Sequence, residues 1–371
     1  MSTLLAPAPP VPRTQPWRTA LLAALTVWAT TTAARLAVSL LAHRSSAMHG
    51  WNQWDAQHYV TIAERGYHEG PGYPAFFPLH PLLIHLLDPL LPGGGQVAAL
   101  VIANAAGIGA LAVLHRLAAH EFGLPVARRA TWYLAATPMG FFLFIGYNES
   151  LFILLAAGAL HAGRRGHWWL AGALAGLSSA TRLFGLLLIV PLAVEYLRQS
   201  RIRLDVLGLA LVPSGALAYS LYCWIELGDP LAFSVAQDQW DRRYTVPGES
   251  WLIAVRQIGE PAALGAVLDA GSVLLAVVLL VLCVTGPWRF RRDQAYLVVH
   301  GAITLVMLMS TEVGGRSMQS APRYAMEAVA IFLVLARIGA NEAADRAVLM
   351  IGMALQAAFL VLFMSGTFLV A

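Results

Sequence analysis

Trp51-Asn52-Gln53-Trp54-Asp55-Ala56-Gln57-His58-Tyr59, running on to Phe76-Phe77-Pro78-Leu79-His80-Pro81, is the longest polar stretch in the first half of the chain. Trp51, Trp54, Asp55, His58 and Ile62 recur at spacings of three and four, which predicts a helix carrying them on one side. That side is aromatic and aliphatic, yet it holds a carboxylate and an imidazole. An interfacial helix ordinarily keeps its charge opposite the apolar stripe. The plain account is local: Asn52 or Asp55 caps a short helix, and the tryptophans anchor it at the lipid headgroups. The functional account is that the surrounding chain presents Asp55 and His58 for chemistry.

Outward from this stretch the chain is apolar. Of 371 residues, 58% are hydrophobic and 12% charged, which excludes an ordinary soluble domain. Runs long enough to cross a bilayer, about 20 residues each, recur from end to end. They begin at Trp17 to Ala42 and continue near 96–118, 129–146, 148–163, 167–181, 183–197, 204–226, 263–285, 294–311, 322–338 and 346–369. The expected fold is therefore an all-α polytopic membrane protein of about eleven transmembrane helices. Between the first two runs, residues 76–91 are broken by Pro78, Pro81 and Pro89 and read as short interfacial helices, with Gly93-Gly94-Gly95 resetting direction. Residues 1–16, rich in Pro and Ala, read as a disordered cytoplasmic tail, and 17–371 as one integral-membrane domain with outer loops at 43–95, 227–262 and 312–321. Cys223 and Cys283 lie inside hydrophobic runs without metal-ligand spacing and read as small core residues.

Arginines collect on the cytoplasmic side of short loops. With the N-terminus inside, Arg116, Arg128, Arg129, Arg164, Arg165, Arg198, Arg201, Arg203, Arg289, Arg291 and Arg292 all fall in cytoplasmic connections, while Asp55, Glu149, Asp229, Asp238, Asp241 and Glu312 fall on the other face. Chemistry is expected at that outer face of a cell membrane, out of reach of cytoplasmic nucleotides. The net charge of +4 has no nucleic-acid pattern of basic residues interleaved with aromatics.

Asp55 is the leading candidate for a general base, because a carboxylate is ionised at neutral pH and can take a proton from an attacking hydroxyl. His58, one turn on, could orient Asp55, share its proton or hold a phosphate oxygen; a structural histidine is the plain alternative. Asn148-Glu149-Ser150 sits at an outer turn, where Glu149 either caps the next helix or joins the site. Arg182 occupies an outer mouth between two short runs, where an arginine snorkels or pairs with an anion, and Gly185 beside it allows close backbone approach. Arg323 and Tyr324 form a second candidate anion clamp. In the loop from Gly228 to Trp251, Gln237, Asp238, Trp240 and Asp241 combine stacking surface with hydrogen-bonding groups suited to a sugar. Asp238 and Asp241 could hold a divalent cation such as Mg or Mn, although a solvated loop explains them as well. No phosphate loop, hydrolase elbow, zincin motif or dinucleotide fingerprint occurs.

Trp54-Asp55-Ala56-Gln57-His58-Tyr59, Gly66-Tyr67 and Ala75-Phe76-Phe77-Pro78-Leu79-His80-Pro81, followed in order by Tyr147-Asn148-Glu149-Ser150-Leu151-Phe152 and Ala180-Thr181-Arg182-Leu183-Phe184-Gly185, resemble the PIG-V-like mannosyltransferases of the GT-C glycosyltransferase superfamily. The likeness covers the first half; Gly228-Asp229-Pro230 and Arg323-Tyr324 are its later echoes. It implies a GT-C-like fold and an inverting transferase that moves a sugar, mannose in that family, from a polyprenyl-phosphate carrier to an acceptor hydroxyl of a glycolipid or glycan. Asp55 would be the base, with His58 and Glu149 catalytic beside it. Arg182, Arg323 and Tyr324 would meet the donor phosphate, and Trp54, Tyr59, Asn148, Gln237, Asp238 and Trp240 the sugar or acceptor. Two rivals are a lipid-carrier flippase and a non-catalytic subunit that binds lipid-linked sugar. A transporter site is expected in broken helices at the midplane with internal repeats, and neither a repeat nor a buried charge pair within a run is readable.

Overall fold

A computed structural model describes residues 16–42, 50–199, 202–259, 264–314, 316–318 and 320–367. The expected N-terminal tail, apart from Pro16, and part of the first outer loop therefore lie outside the described residues. The α-helices are α1 (Trp17–Ala42), α2 (Asp55–Arg65), α3 (Leu79–Leu87), α4 (Gly94–Phe122), α5 (Leu124–Ala136), α6 (Glu149–Arg164), α7 (Trp168–Thr181), α8 (Ile189–Gln199), α9 (Ser214–Leu227), α10 (Ala232–Val235), α11 (Glu249–Gln257), α12 (Leu264–Val284), α13 (Ala295–Leu308), α14 (Ala321–Ala325), α15 (Val329–Ile338) and α16 (Glu342–Met364). Three short strands, β1 (Arg242–Tyr244), β2 (Thr311–Val313) and β3 (Arg316–Ser317), form an antiparallel sheet in the order β1-β2-β3. The sheet ties the loop after α9 to the loop after α13, with Arg242 opposite Val313 and Tyr244 opposite Thr311.

Among the described residues, α1, α4, α12 and α16 are long and apolar enough to cross a membrane. A fifth span results if the tight helix Leu204–Leu211 and α9, bent by 43°, count as one. The all-helical membrane character stands, and several of the eleven expected runs are broken helices. The run 129–146 stops being helical at Ala136 because Pro138 drives Thr137 to ψ 152°. The run 183–197 opens with the tight turn Leu183–Leu188 before α8, and 322–338 is split between α14 and α15.

α4 lies at the centre, packed against α1, α5 and α6, and α6 packs in turn on α7. Their interface is rich in Ala and Gly, which lets helix backbones approach closely without the driving force water would supply. Leu21, Leu22, Leu40 and Leu41 of α1, Leu274 and Leu275 of α12, and Met350 and Ile351 of α16 all point outward. Helices apolar on the outer as well as the inner side suit lipid and not water.

The first loop differs from its expected form. Trp54 has φ 54° and ψ −124°, so the helix starts at Asp55 and not at Trp51. The buried side of α2 is Ala56, Tyr59, Ile62 and Ala63, and Trp51 instead donates its indole N–H to the Ser39 hydroxyl at 3.1 Å. No side chain makes a cap hydrogen bond at α2 or α6, so Asn52 does not cap α2, while Glu149 stands in the first turn of α6, where the positive end of the helix suits it.

Candidate active site

Asp55 is the first residue of α2 and stands beside a strained backbone. A non-glycine residue in the conformation of Trp54 costs about 1–3 kcal/mol and persists only where surrounding contacts enforce it. One such contact is the Tyr147 hydroxyl, which donates to the Gln53 carbonyl at 3.1 Å. Asp55 is 27% exposed, and its Oδ2 accepts a hydrogen bond of 2.9 Å from Nη1 of Arg323, which is 3% exposed. Arg323 Nη2 donates to the Tyr324 hydroxyl at 2.6 Å, and its guanidinium lies over the rings of Tyr147 and Phe142 at 5.2 and 5.3 Å.

Glu149, at the first turn of α6, is fully buried and links the two arginines. Its Oε1 lies 3.1 Å from Arg323 Nε and also pairs with Arg182 Nη2. Arg182 directly follows α7, where an extended backbone (φ −155°, ψ 145°) ends the helix and turns the side chain inward. Its Nε donates to Asn148 Oδ1 at 3.0 Å and its Nη1 pairs with Glu327. Gly185 makes this turn possible: a Cβ there would fall 2.4 Å from the backbone of Ser178 and Ser179. Five charged groups on four separate segments thus form one network of alternating sign. Glu327 was not anticipated, and it corrects the expectation that no run holds a buried charge pair. The signal was present, since an acidic residue inside an apolar run is a functional candidate by default.

The network forms one wall of a cavity of about 320 Å³, within the size range of ligand sites. Asp55, Arg182, Arg323, Tyr324, Trp54, His58, Tyr59, Asn148, Gln237 and Trp240 line it, so ten of the twelve expected site residues meet there. Glu149 and Asp238 do not reach it. Glu149 sits behind the arginines, paired with both. The ring of His58 is enclosed by Tyr73, Phe76 and Trp240 at centroid distances of 5.6, 5.3 and 5.2 Å. Burial lowers its pKa, against the pull of Asp55, and no hydrogen bond joins the two among the described residues. The sheet also contributes to the lining through Arg242, Tyr244, Thr311 and Val313, and Trp240 donates to the Gly72 carbonyl at 2.9 Å.

A divalent cation does not fit the residues expected to hold it. Asp241 pairs with Arg243 at 3.2 Å, the cavity carboxylate is committed to Arg323, and no group of three or more ligating side chains occurs among the described residues.

A second, smaller cavity adjoins the first. It is lined by Phe152, Phe184, Leu187, Leu188, His300, Ile303, Thr304, Met307 and Glu327, and Phe184 borders both. At the far end of α6, Arg164 joins Glu121 and Asp293 at 2.6 Å each and Glu195 at 3.0 Å. Arg198 and Arg291 flank this cluster. Several of the arginines assigned to cytoplasmic connections therefore share one end of the bundle.

These features define a helical membrane protein with a polar, charge-lined cavity at one end. The fold is shared with the ArnT protein of Cupriavidus metallidurans solved with undecaprenyl phosphate (TM-score 0.57, 15% identity, covering 92% of this chain and 76% of that one). It is also shared with the oligosaccharyltransferase of Archaeoglobus fulgidus (TM-score 0.51, 12% identity, covering 94% and 56%). Residues 17–209 match the family described as mannosyltransferase (PIG-V), and the chain belongs to that family. Among curated relatives, the GPI alpha-1,6-mannosyltransferase 2 of Rattus norvegicus is 33% identical over 147 residues, covering 37% of this chain and 30% of the relative. The GPI mannosyltransferase 2 of Yarrowia lipolytica is 32% identical over 108 residues, covering 29% and 30%. The chain thus matches under a third of the length of these relatives.

Proposed function

We propose that this protein is an inverting glycosyltransferase that moves mannose from a polyprenyl-phosphate carrier to a hydroxyl of a lipid- or polymer-linked acceptor on the non-cytoplasmic face of the cell membrane. The observation that carries it is Asp55, half-buried in the cavity wall and held by Arg323. The acceptor oxygen attacks the anomeric carbon from the face opposite the phosphate, and its proton passes to the Asp55 carboxylate. The bond from the anomeric carbon to the phosphate oxygen breaks, and the carrier phosphate leaves with the electron pair. Residual N–H groups of Arg182 and Arg323 and the Tyr324 hydroxyl face the leaving group, where preorganised donors act most strongly because water is excluded. Trp54, Tyr59, Gln237 and Trp240 supply stacking and hydrogen-bonding surface for the sugars.

The match to the mannosyltransferase (PIG-V) family supports a sugar-transferring activity. The solved neighbour bound to undecaprenyl phosphate supports a polyprenyl-phosphate carrier. The gathering of Arg164, Arg198 and Arg291 at the other end supports the N-terminus and that end as cytoplasmic. The test supplies purified protein in lipid nanodiscs with radiolabelled polyprenyl-phosphate-mannose and a membrane lipid extract. Label should move to a new species. Donor that binds but never transfers would instead indicate a lipid-sugar-binding subunit.

A further inference from the structure

Arg182 and Arg323 already have their charges matched: Glu149 and Glu327 pair with the first, Asp55 and Glu149 with the second. A lipid phosphate entering the cavity brings negative charge, and more accumulates on its oxygens as the sugar departs. Both guanidiniums already have carboxylate partners, so a further cation in the lining is suited to balance that charge.

We propose that Arg242 supplies it, as the residue that binds the phosphate of the lipid-linked donor. Besides Arg182 and Arg323, Arg242 is the one arginine lining the cavity. Among the described residues its side chain makes no ion pair, and its buried Nε has no hydrogen-bond partner. Its neighbour Arg243 is strongly exposed and paired with Asp241, so the two adjacent arginines have different environments. A guanidinium with unused donors beside a cavity is suited to phosphate, which it meets with two parallel hydrogen bonds. Its backbone is fixed as well. Arg242 pairs with Val313 in the sheet, Gly314 N–H donates to the Asp241 carbonyl at 3.0 Å, and Thr245 N–H to the Ser310 carbonyl at 2.9 Å. The sheet, on this view, adds an unpaired cation to the lining that Arg182 and Arg323 share, where the departing phosphate collects charge.

This inference rests on the proposed transferase activity, and its test separates the two. Wild type, Arg242→Gln and Arg242→Lys are compared in nanodiscs for direct binding of unglycosylated polyprenyl phosphate and, with labelled polyprenyl-phosphate-mannose, for KM toward donor and toward acceptor. A lost charge-assisted hydrogen bond corresponds to about a ten- to hundred-fold weakening. Arg242→Gln should weaken polyprenyl phosphate binding and raise the donor KM by that factor. The acceptor KM and melting temperature should stay unchanged, and Arg242→Lys should recover most of the loss. Unchanged phosphate binding in Arg242→Gln, or a rise confined to the acceptor KM, would overturn the assignment. Wild type that binds the carrier but moves no label would refute the transferase activity alone, and the binding comparison would still decide the role of Arg242.

Discussion

Replacing Glu149 by Gln keeps the side chain's shape and removes the charge that joins the two arginines. Glu149 is fully buried, with one oxygen facing both guanidiniums. Breaking a buried ion pair by removing one partner costs about 3–5 kcal/mol, because it strands charge away from water. Here each arginine keeps one other carboxylate, Glu327 for Arg182 and Asp55 for Arg323, which places the loss at the lower end, about 3 kcal/mol. At about 2 °C per kcal/mol this lowers the apparent melting temperature by about 6 °C. The freed guanidiniums re-aim, and a displacement of about 1 Å at a reacting centre costs about a hundred-fold in rate. Thermal unfolding of the purified variant, paired with the label-transfer assay, reads both. Unchanged melting and full transfer would show that Glu149 does not organise the site. Unchanged melting with transfer abolished would make it a substrate contact, against its place behind the arginines.

Gly185→Ala forces a methyl group into the backbone of Ser178 and Ser179. It should cost about 1–3 kcal/mol in thermal unfolding and reduce transfer by displacing Arg182; wild-type melting would contradict the close approach. Arg164→Met strips the cation shared by Glu121, Glu195 and Asp293 and should destabilise by about 3–5 kcal/mol. Because α6 runs about 24 Å between that cluster and the cavity, donor KM should not change, and a large rise would show the two ends to be coupled. His58 has its pKa lowered by burial, so below about pH 6.5 the unfolded chain takes up a proton that the folded chain refuses, and stability falls with pH there. His58→Gln should flatten that part of the stability profile, and an unaltered slope would assign it to another group.

Much of this architecture is legible in the sequence. The apolar runs near 148–163, 167–181 and 263–285 correspond to α6, α7 and α12 within a few residues, because in lipid every backbone polar group must be satisfied locally and a helix does so. Asp55 and Arg323, 268 positions apart, meet at 2.9 Å; their residue types and common face pointed there, while their pairing is a product of tertiary folding. The breaks at Thr137 and after Arg182 were hidden because apolar composition hardly changes across them. The periodic side of the first polar stretch was misassigned because spacing alone does not reveal the positive φ of Trp54. Glu327 stood in an apolar run with no motif around it, and nothing local distinguishes Arg242 from Arg243. Their difference lies in what the sheet brings near each of them.

Transfer of label by Asp55→Asn bears on the centre of the mechanism. With donor binding within a few-fold of wild type and the protein folded, the rate should fall by about 100- to 10,000-fold, as expected when a positioned base is lost. A variant that transfers mannose at the wild-type rate would remove Asp55 from the chemistry, and with it the mechanism built on that carboxylate.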